Sequence, residues 1–344
     1  MSSQYSKAGV NLKLARNVKA NLPALLRRAT RPEVLGRIGA FGGLFKARFP
    51  ACREPVLVAS MDGVGTKLRV AVEMGRHDTV GQDLVNHCCD DIAVMGADPL
   101  FFLDYMGTGK LEKEVFDGVI QGLAKACAEA GMALLGGETA QMPGIYAAGD
   151  YDLVGTIVGV VDRRKIIDGS KIETGDEVVG LASTGLHTNG YSLAREILFK
   201  QAGFKMTSRP SELEGESVGE ALLRVHRNYH PLLASLRRKK VVLHGAAHIT
   251  GGGFIENIER VLPRNALLRI DRSSWNVPPI FELIRRKGRV SEAEMYRVFN
   301  MGIGMVLVVP RASVERVRDE ASAFGIESCL IGRVARGRRE VMLS

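Results

Sequence analysis

The stretch "SMDGVGTKL", residues 60–68, follows the apolar run "PVLVA" and has the composition of a phosphate-binding loop in an altered order. A Walker loop reads G-x-x-x-x-G-K-[ST], with the lysine before the hydroxyl residue. Here Thr66 precedes Lys67, and the motif begins at Asp62, so it is not a Walker loop. An acid at this position suggests that Asp62 holds a metal ion that in turn holds phosphates. The chain should then contain further ligands for that ion.

Length and charge restrict the classes of protein. A chain of 344 residues should form two domains, each able to bury its own core. Its 47 Lys and Arg against 38 Asp and Glu give a net charge of +9, which suits anionic substrates as well as nucleic acid. The basic clusters at 27–31 and 237–240 are not interleaved with aromatic residues. A platform on which nucleic-acid bases stack is therefore not expected.

The five cysteines indicate a reducing compartment. Their number is odd and no C-x-x-C pair occurs, which argues against a disulfide framework and a structural zinc site. The first 20 residues are polar and mixed, unlike a signal peptide, and no apolar run approaches the ~20 residues that span a bilayer. We predict a cytoplasmic protein without membrane or nucleic-acid partners.

The apolar pattern predicts an arm followed by two α/β domains with mixed sheets. We assign residues 1–54 to an N-terminal arm and Gly-rich loop, 55–168 to an N-terminal domain and 169–344 to a C-terminal domain. The predicted strands are 55–60, 99–105, 133–136, 151–161, 177–183, 240–244, 266–270, 303–309 and 327–333. The predicted helices are 78–97, 111–130, 189–202, 215–238, 253–261, 278–287 and 312–324.

The helix predicted over 78–97 carries an acidic cluster. Asp83, His87, Asp90 and Asp91 gather on one face, beside an apolar face at helical spacing. Crowded carboxylates repel one another unless a cation or solvent relieves them, so the cluster is a candidate metal site. An exposed acidic helix face explains the same pattern equally well.

A second candidate is "LLGGETAQMPG", residues 134–144. Two glycines at a strand end would form a turn that lets the backbone approach a ligand, and Glu138 and Thr139 follow with oxygen atoms of the kind that Mg²⁺ prefers. A turn without function would also use two glycines. We expect Asp62, Asp91 and Glu138 to converge on Mg²⁺ and phosphate, because all three lie near the ends of predicted core elements in one domain.

Two glycine-containing turns in the second half could bind anions. In "STGLHTNGYSL", residues 183–193, His187, Asn189 and Gly190 precede a predicted helix, whose N-terminus offers free N–H groups. His187 could shuttle protons there, although a lone histidine is more often structural. In "AHITGGGFIENI", residues 247–258, Gly251–Gly253 open a helix. Either a bound phosphate or a tight bend would explain these glycines.

Taken together, the motifs resemble the phosphoribosylformylglycinamidine cyclo-ligase family, the aminoimidazole ribonucleotide synthetases of purine biosynthesis. The resemblance is carried in order by "YSKAGV", "RPEVLG", "MDGVGTKL", "DDIAVMGADPLFFLDY", "GGETAQMPG", "HTNGYSL", "HITGGGFIENI" and "EMYRVFNMGIGM". It implies an enzyme that converts ATP and formylglycinamidine ribonucleotide to aminoimidazole ribonucleotide, ADP and phosphate through an iminophosphate. It also implies Mg²⁺, and leaves open whether K⁺ is needed.

The resemblance further implies a homodimer. In this family the two-domain α/β chains join amino-terminal strands into a dimeric β-barrel, and the nucleotide site lies near the subunit interface. The N-terminal arm, including Lys19, would close over ATP.

The resemblance assigns roles to residues of this chain. The metal ligands would be Asp62, Asp91 and Glu138, with Asp83 and Asp90 as supporting or additional ligands. ATP and its phosphates would contact Asp62, Gly63, Gly65, Thr66, Lys67, Gly136, Gly137 and Thr139. The formylglycinamidine ribonucleotide would contact Asn189, Gly190, Gly251, Gly252 and Gly253. Catalysis would fall to His187, Asp91 and Lys67, with His187 moving a proton or orienting the amide.

Two departures and two alternatives accompany this interpretation. Asp90 stands where the family often has Asn, and this extra charge could alter the number of metal ions bound. Gln141 stands where the family often has Glu, and this lost charge could weaken a contact with the substrate. "DGVGTK" and "GGET" also resemble a wider ATP-binding superfamily that includes thiamine monophosphate kinase, so a small-molecule kinase is one alternative. A basic protein that binds nucleic acid is the other, but it leaves the carboxylates unexplained.

Overall fold

A computed structural model describes residues 12–36 and 39–344 of the chain, with side chains from Arg16 onward. It divides into two compact units, which are described separately. The first comprises the described residues up to Ile92 together with Asp98–Arg163, and the second comprises Ala93–Ala97 and Arg164–Ser344. The opening residues of the predicted arm, 1–11, lie outside the described part of the chain.

The first unit is a four-stranded sheet with helices and a short hairpin. Its strands are β1 (Val34–Leu35), β2 (Leu44–Phe45), β3 (Pro55–Gly63), β4 (Asp98–Thr108), β5 (Ala133–Gln141) and β6 (Tyr151–Asp162). Its helices are α1 (Leu12–Lys19), α2 (Leu22–Leu25), α3 (Lys67–Met74), α4 (Asp78–Ala93) and α5 (Lys113–Glu129). The main sheet has the order β3-β6-β4-β5, in which only β4 and β5 are parallel, and β1 pairs with β2 alone.

The two faces of this sheet differ in their cover. On one face Phe102 and Ile157 are fully buried. A Cβ at Gly155 of β6 would overlap the Phe102 ring, and one at Gly159 would overlap Ile92 of α4. Strand residues alternate between faces. Large apolar side chains on the strands remain exposed where the helices do not reach: Leu57 (61%), Met61 (68%) and Leu103 (37%).

The second unit is a six-stranded sheet of order β12-β9-β11-β7-β10-β8. Its strands are β7 (Glu177–Ala182), β8 (Gly245–His248), β9 (Ala266–Ile270), β10 (Ile303–Val309), β11 (Ser328–Arg336) and β12 (Glu340–Leu343). Its helices are α6 (Tyr191–Arg195), α7 (Val218–Leu222), α8 (His230–Arg238), α9 (Gly253–Glu259), α10 (Pro279–Gly288), α11 (Glu292–Val298) and α12 (Val314–Ala323). A π-helical segment, Glu196–Gln201, continues α6.

The two-domain α/β class is confirmed, but several element predictions were wrong. The strand predicted at 240–244 lies instead at Gly245–His248, and the helix predicted over 215–238 is broken between Leu222 and His230. Helices α3 and α11 and strand β12 were not predicted. In the second unit's core, β7 and β10 pack against α8 and α12 through fully buried apolar side chains, including Leu181, Leu233 and Leu307.

All five cysteines are free thiols. Cys88, Cys89 and Cys127 are buried, and burial raises the pKa of each thiol well above its usual value. Cys52 and Cys329 are partly exposed. Among the described residues, no helix combines the length and apolar character that crossing a bilayer requires.

Candidate active site

The first unit brings two of the predicted metal ligands together beside a histidine. Asp62 lies near the end of β3, and His87 and Asp91 lie one helical turn apart on α4, which packs on the same face of the sheet. The His87 Nε2 atom is 2.8 Å from Asp62 Oδ2 and 3.8 Å from Asp91 Oδ2. The Ser60 hydroxyl donates a hydrogen bond of 3.0 Å to Asp91 Oδ2. Two carboxylates from distant parts of the sequence therefore share one cluster.

The neighbouring charges favour the ionised forms of His87 and Asp62, and the carboxylates of the cluster are partly exposed. Burial alone would lower the pKa of His87, but the hydrogen bond to Asp62 and the charges of Asp91, Asp62 and Asp83 outweigh it, so its pKa is raised. Burial would raise the pKa of Asp62, but the hydrogen bond and charge of His87 reverse this and lower it. The side chains of Asp62 and Asp91 remain 44% and 25% exposed. Their oxygens can therefore reach a ligand from solvent.

Lys67 and Asp83 form a buried ion pair. The Lys67 Nζ atom is 2.8 Å from Asp83 Oδ2, and both side chains are 0% exposed. Burial lowers the pKa of Lys67, although the nearby Asp83 opposes that shift. Asp90 is also fully buried. In this structure none of these three side chains reaches solvent, and the contacts expected of Lys67 with phosphates and of Asp83 and Asp90 with a metal stay predictions.

Glu138 lies at the opposite edge of the sheet from Asp62. In the strand register, Asp62 of β3 pairs with Gly155 of β6, Gly155 pairs with Asp104 of β4, and Asp104 pairs with Gly137 of β5. Three strand spacings, roughly 14 Å along the sheet, therefore separate Asp62 from the neighbour of Glu138. The exposed Glu138 does not join the Asp62 cluster within one chain.

The predicted glycine turn before Glu138 was wrong. Gly136 and Gly137 lie inside β5, which continues through Thr139 to Gln141. A Cβ at Gly137 would overlap the side chain of Asp104 on β4. That carboxyl packs so closely that burial raises its pKa to about 7. Gly137 therefore allows the Asp104 side chain of β4 to pack closely against β5, and it does not form a turn.

Residues 63–66 link β3 to α3. Gly63 ends the strand, Gly65 has φ +67° in the left-handed region, and Thr66 precedes the first residue of the helix. The predicted loop is thus a strand-to-helix turn next to Asp62, in which the Gly63 N–H donates to Asp62 Oδ1 (2.6 Å) and the Val64 N–H donates to the Leu153 carbonyl (3.2 Å).

In the second unit, residues 183–190 form a loop held by hydrogen bonds and side-chain packing, which we call the HTNG loop. It runs from the end of β7 to α6. His187 has φ +60° and is 1% exposed, so it is a strained and buried residue. Its Nε2 atom accepts hydrogen bonds from the backbone N–H of Thr184 (3.2 Å) and of Arg227 (3.5 Å). Because Nε2 accepts, the neutral ring carries its proton on Nδ1.

Two further histidines lie behind His187. The rings of His187 and His226 stack with centroids 4.0 Å apart, and His226 Nε2 lies 3.1 Å from His248 Nε2. The Thr188 hydroxyl is 3.3 Å from His226 Nδ1. This contact network fixes the ring of His187 rather than exposing it to substrate.

The HTNG loop meets the loop of three glycines. Gly252 and Gly253 have φ +93° and +61°, and a Cβ on Gly251 would lie 3.4 Å from Asn189 Oδ1. Asn257 holds the glycine loop through bonds from its Nδ2 atom to the carbonyls of residues 250, 251 and 253. The five predicted substrate contacts are therefore neighbours in the fold, with their backbone fixed.

Sequence reasoning missed the residues that hold the HTNG loop. The Asn300 Nδ2 atom donates to the carbonyl of Gly185 (2.9 Å), and its Oδ1 atom accepts from the Ser183 hydroxyl (3.0 Å). The ring of Phe299 packs so closely on Gly190 that no Cβ fits there. Both residues belong to the quoted "EMYRVFNMGIGM", and the available signal was a single Asn within its otherwise apolar, glycine-containing part "VFNMGIGM".

Comparison with known proteins gives a full-length match. Family models described as AIR synthase related protein match residues 50–161 (N-terminal domain) and 173–343 (C-terminal domain). The chain is 49% identical over 336 residues to a phosphoribosylformylglycinamidine cyclo-ligase of Syntrophotalea carbinolica, covering 98% of this chain and 95% of the relative. It is 50% identical to one of Symbiobacterium thermophilum, covering 96% and 94%.

Solved structures share the fold at low identity. A thiamine-monophosphate kinase of Stenotrophomonas maltophilia superposes with a TM-score of 0.72 at 18% identity, covering 94% of this chain and 96% of that one. The hydrogenase maturation protein HypE in complex with ATP superposes with a TM-score of 0.66 at 14% identity, covering 98% and 93%.

Proposed function

The chain belongs to the phosphoribosylformylglycinamidine cyclo-ligase family, and from this premise we propose that it closes the imidazole ring of aminoimidazole ribonucleotide at the expense of ATP. The observation that carries the proposal is the Asp62, His87 and Asp91 cluster beside the strand-to-helix turn at residues 63–66. One fold neighbour is described as an ATP complex, which supports nucleotide use by this architecture.

The Asp62 cluster has the donors that Mg²⁺ prefers. Asp62 and Asp91 offer partly exposed carboxylate oxygens, and Ser60 adds a hydroxyl bonded to Asp91. We propose that Asp62 and Asp91 hold Mg²⁺, which would neutralise charge on the triphosphate of ATP. The buried pair of Lys67 and Asp83 would support this cluster from behind.

His87 would orient Asp62. Its Nε2 atom donates to Asp62 Oδ2 and the Gly63 N–H donates to Asp62 Oδ1, so both oxygens are held in place and each would face the metal with its remaining lone pair. The start of α3, which follows this turn, would add a fixed dipole near the phosphates. These groups align and neutralise the phosphoryl group, and phosphoryl transfer requires little else of a protein.

The proposed reaction has two steps. The formyl amide oxygen attacks the γ-phosphorus of ATP, ADP leaves, and an iminophosphate forms. The amidine nitrogen then attacks the activated carbon, phosphate leaves with the former amide oxygen, and loss of a proton gives the aromatic ring. The HTNG loop and Gly251–Gly253 would hold the ribonucleotide, with backbone N–H groups near its phosphate.

His187 would organise this site rather than carry protons. Its Nε2 lone pair already accepts two backbone N–H groups, so the atom is not available as a base. Its buried ring instead shapes the HTNG loop that presents Asn189 and Gly190. We therefore propose that His187 positions the HTNG loop, in place of the two roles expected from the sequence, proton transfer and direct orientation of the amide.

A homodimer would explain the open face of the first sheet. Leu57, Met61 and Leu103 expose apolar surface that a second copy could cover, as in the family's dimeric barrel. Glu138 would have to join the Asp62 cluster from a second subunit, since it lies at the opposite sheet edge within one chain. Mg²⁺ and K⁺ dependence and a cytoplasmic location remain predictions.

A coupled assay tests the proposal. Purified protein with ATP, Mg²⁺ and formylglycinamidine ribonucleotide should release phosphate and form the aminoimidazole, which is detected as a diazotisable amine, only when both substrates are present. A stable phosphorylated product without ring closure would indicate a kinase. Neither phosphate nor amine under these conditions would refute the proposed reaction.

A further inference from the structure

One end of the second unit's sheet carries three metal-binding side chains that the proposed reaction does not use. Glu173, Asp176 and His244 each offer one ligand atom, and these atoms all lie within 4.8 Å of one another. We call them the 173/176/244 cluster. Its residues belong to neither the HTNG loop nor the loop at Gly251–Gly253.

The backbone holds the cluster in place. The His244 Nδ1 atom is 2.8 Å from Asp176 Oδ2, and the same oxygen accepts the backbone N–H of Glu173 at 3.0 Å. The turn is closed by a bond from the Asp176 N–H to the Glu173 carbonyl (3.1 Å), with Gly175 at φ +99°. His244 is fixed through its own N–H, which donates to the carbonyl of Val308 (2.9 Å).

The sheet topology explains why these residues meet. Strands β7 and β8 flank β10 and both run antiparallel to it. Glu177 pairs with Val309 and Gly245 with Val308, so Asp176 and His244 immediately precede two strands that begin at the same end of the sheet. Two strand spacings, about 10 Å, separate these strands. A ligand held by both residues would tie their ends together.

Burial and charge leave the set incomplete without a cation. The Asp176 side chain is 3% exposed and that of His244 is 13% exposed, whereas Glu173 is exposed. Among the described residues, no Lys or Arg forms an ion pair with Asp176 or Glu173. The imidazole–carboxylate hydrogen bond and the turn between Glu173 and Asp176 bring the backbone of these residues together, and the Glu173 side chain adds a second carboxylate oxygen within 4.8 Å of the other two ligand atoms.

We propose that the 173/176/244 cluster binds a divalent transition-metal ion of the Zn²⁺ class, with the imidazole nitrogen and two carboxylate oxygens as ligands. Zn²⁺ accepts both imidazole nitrogen and carboxylate oxygen ligands, and water would complete the tetrahedron on the open Glu173 side. The nitrogen donor favours Zn²⁺ or Co²⁺ over Mg²⁺. The ion would brace the starts of β7 and β8.

Metal-free protein titrated with Co²⁺ in excess Mg²⁺ tests the proposal, because Mg²⁺ fills sites made only of oxygen ligands. We expect a saturable visible absorption from tetrahedral Co²⁺, displaced by Zn²⁺, and a higher Tm of the protein with Zn²⁺ than without it. His244→Gln should abolish the absorption. No saturable Co²⁺ signal in the wild-type protein would overturn the site.

A matched pair of surface variants keeps the test independent of folding. Glu173→Gln should weaken Co²⁺ binding more than about tenfold, while the Tm of the metal-free protein and the rate of ring closure stay unchanged. Glu129→Gln, at an exposed carboxylate in the first unit, should change none of these quantities. Wild-type Co²⁺ affinity in Glu173→Gln would reduce the cluster to a hydrogen bond between His244 and Asp176 and refute the proposal.

Discussion

Variants of the buried ion pair between Lys67 and Asp83 can show whether Lys67 supports the fold or binds phosphate. Lys67→Met removes the cation and leaves the Asp83 carboxylate, 0% exposed, without the partner that now lies at 2.8 Å. Breaking a buried ion pair in this way costs about 3–5 kcal/mol. For a unit of this size that corresponds to a fall in Tm of roughly 10 °C.

The reciprocal variant should cost less. Burial already lowers the pKa of Lys67, and loss of Asp83 would lower it further, so in Asp83→Asn the amine can shed its proton and relieve part of the penalty. The double variant Lys67→Met/Asp83→Leu should recover much of the lost stability, since no uncompensated charge remains. The two single effects should therefore be strongly non-additive.

Calorimetric unfolding and ATP titration of the same variants provide the measurement. Lys67→Met should lower the Tm, and ATP affinity should be restored together with stability in the double variant. A Lys67→Met protein with wild-type Tm and greatly weakened ATP binding would refute it, and would return Lys67 to the phosphate site.

Three further predictions concern single residues. Asp91→Asn should lower turnover at least tenfold with little change in Tm, because it alters a partly exposed carboxylate; wild-type Mg²⁺ dependence would exclude a ligand role. Gly190→Ala should reduce both Tm and turnover, because the new Cβ would overlap the Phe299 ring and because residue 190 has φ +78°. Adding Phe299→Leu should restore only the part of the loss that the overlap causes, since the backbone strain remains. Hydrogen bonds from Lys239 and Ser235 lower the pKa of Glu320, so the stability that its carboxylate contributes is present at neutral pH and is lost as the pH falls through that lowered pKa. The urea midpoints of the wild type and of Glu320→Gln should therefore converge in acid. A difference between the midpoints that stays constant with pH would contradict this.

Local patterns in the sequence predicted the fold class because strand and helix periods differ. The acidic face of α4 was visible from spacing alone, and the structure does bring His87 and Asp91 to Asp62. Spacing could not show that Asp83 faces Lys67, since that pairing depends on how α3 and α4 pack. It also could not show that the predicted turn at residues 136–137 is a strand interior, because a glycine needed for close strand packing is indistinguishable from a turn glycine.

The second half shows the same limit. Residues 240–244 and 245–248 are both apolar enough for a strand, and only pairing with β10 selects the latter. The HTNG loop was predicted from its residue types, but the role of Asn300, which lies 115 positions away from Gly185, depends on tertiary contact. Composition could suggest an anion site, whereas the tautomer of His187 required the backbone donors that surround it.

The partly exposed thiols offer a practical route to labelling each of the two units. Because the thiolate is the species that attacks maleimides, the buried Cys88, Cys89 and Cys127 should stay unlabelled in the folded protein. Cys52 belongs to the first unit and Cys329 to the second, and both are partly exposed. Burial also raises the pKa of Cys329, so its modification calls for mildly alkaline buffer. Each unit could therefore carry a thiol-reactive dye without any engineered cysteine.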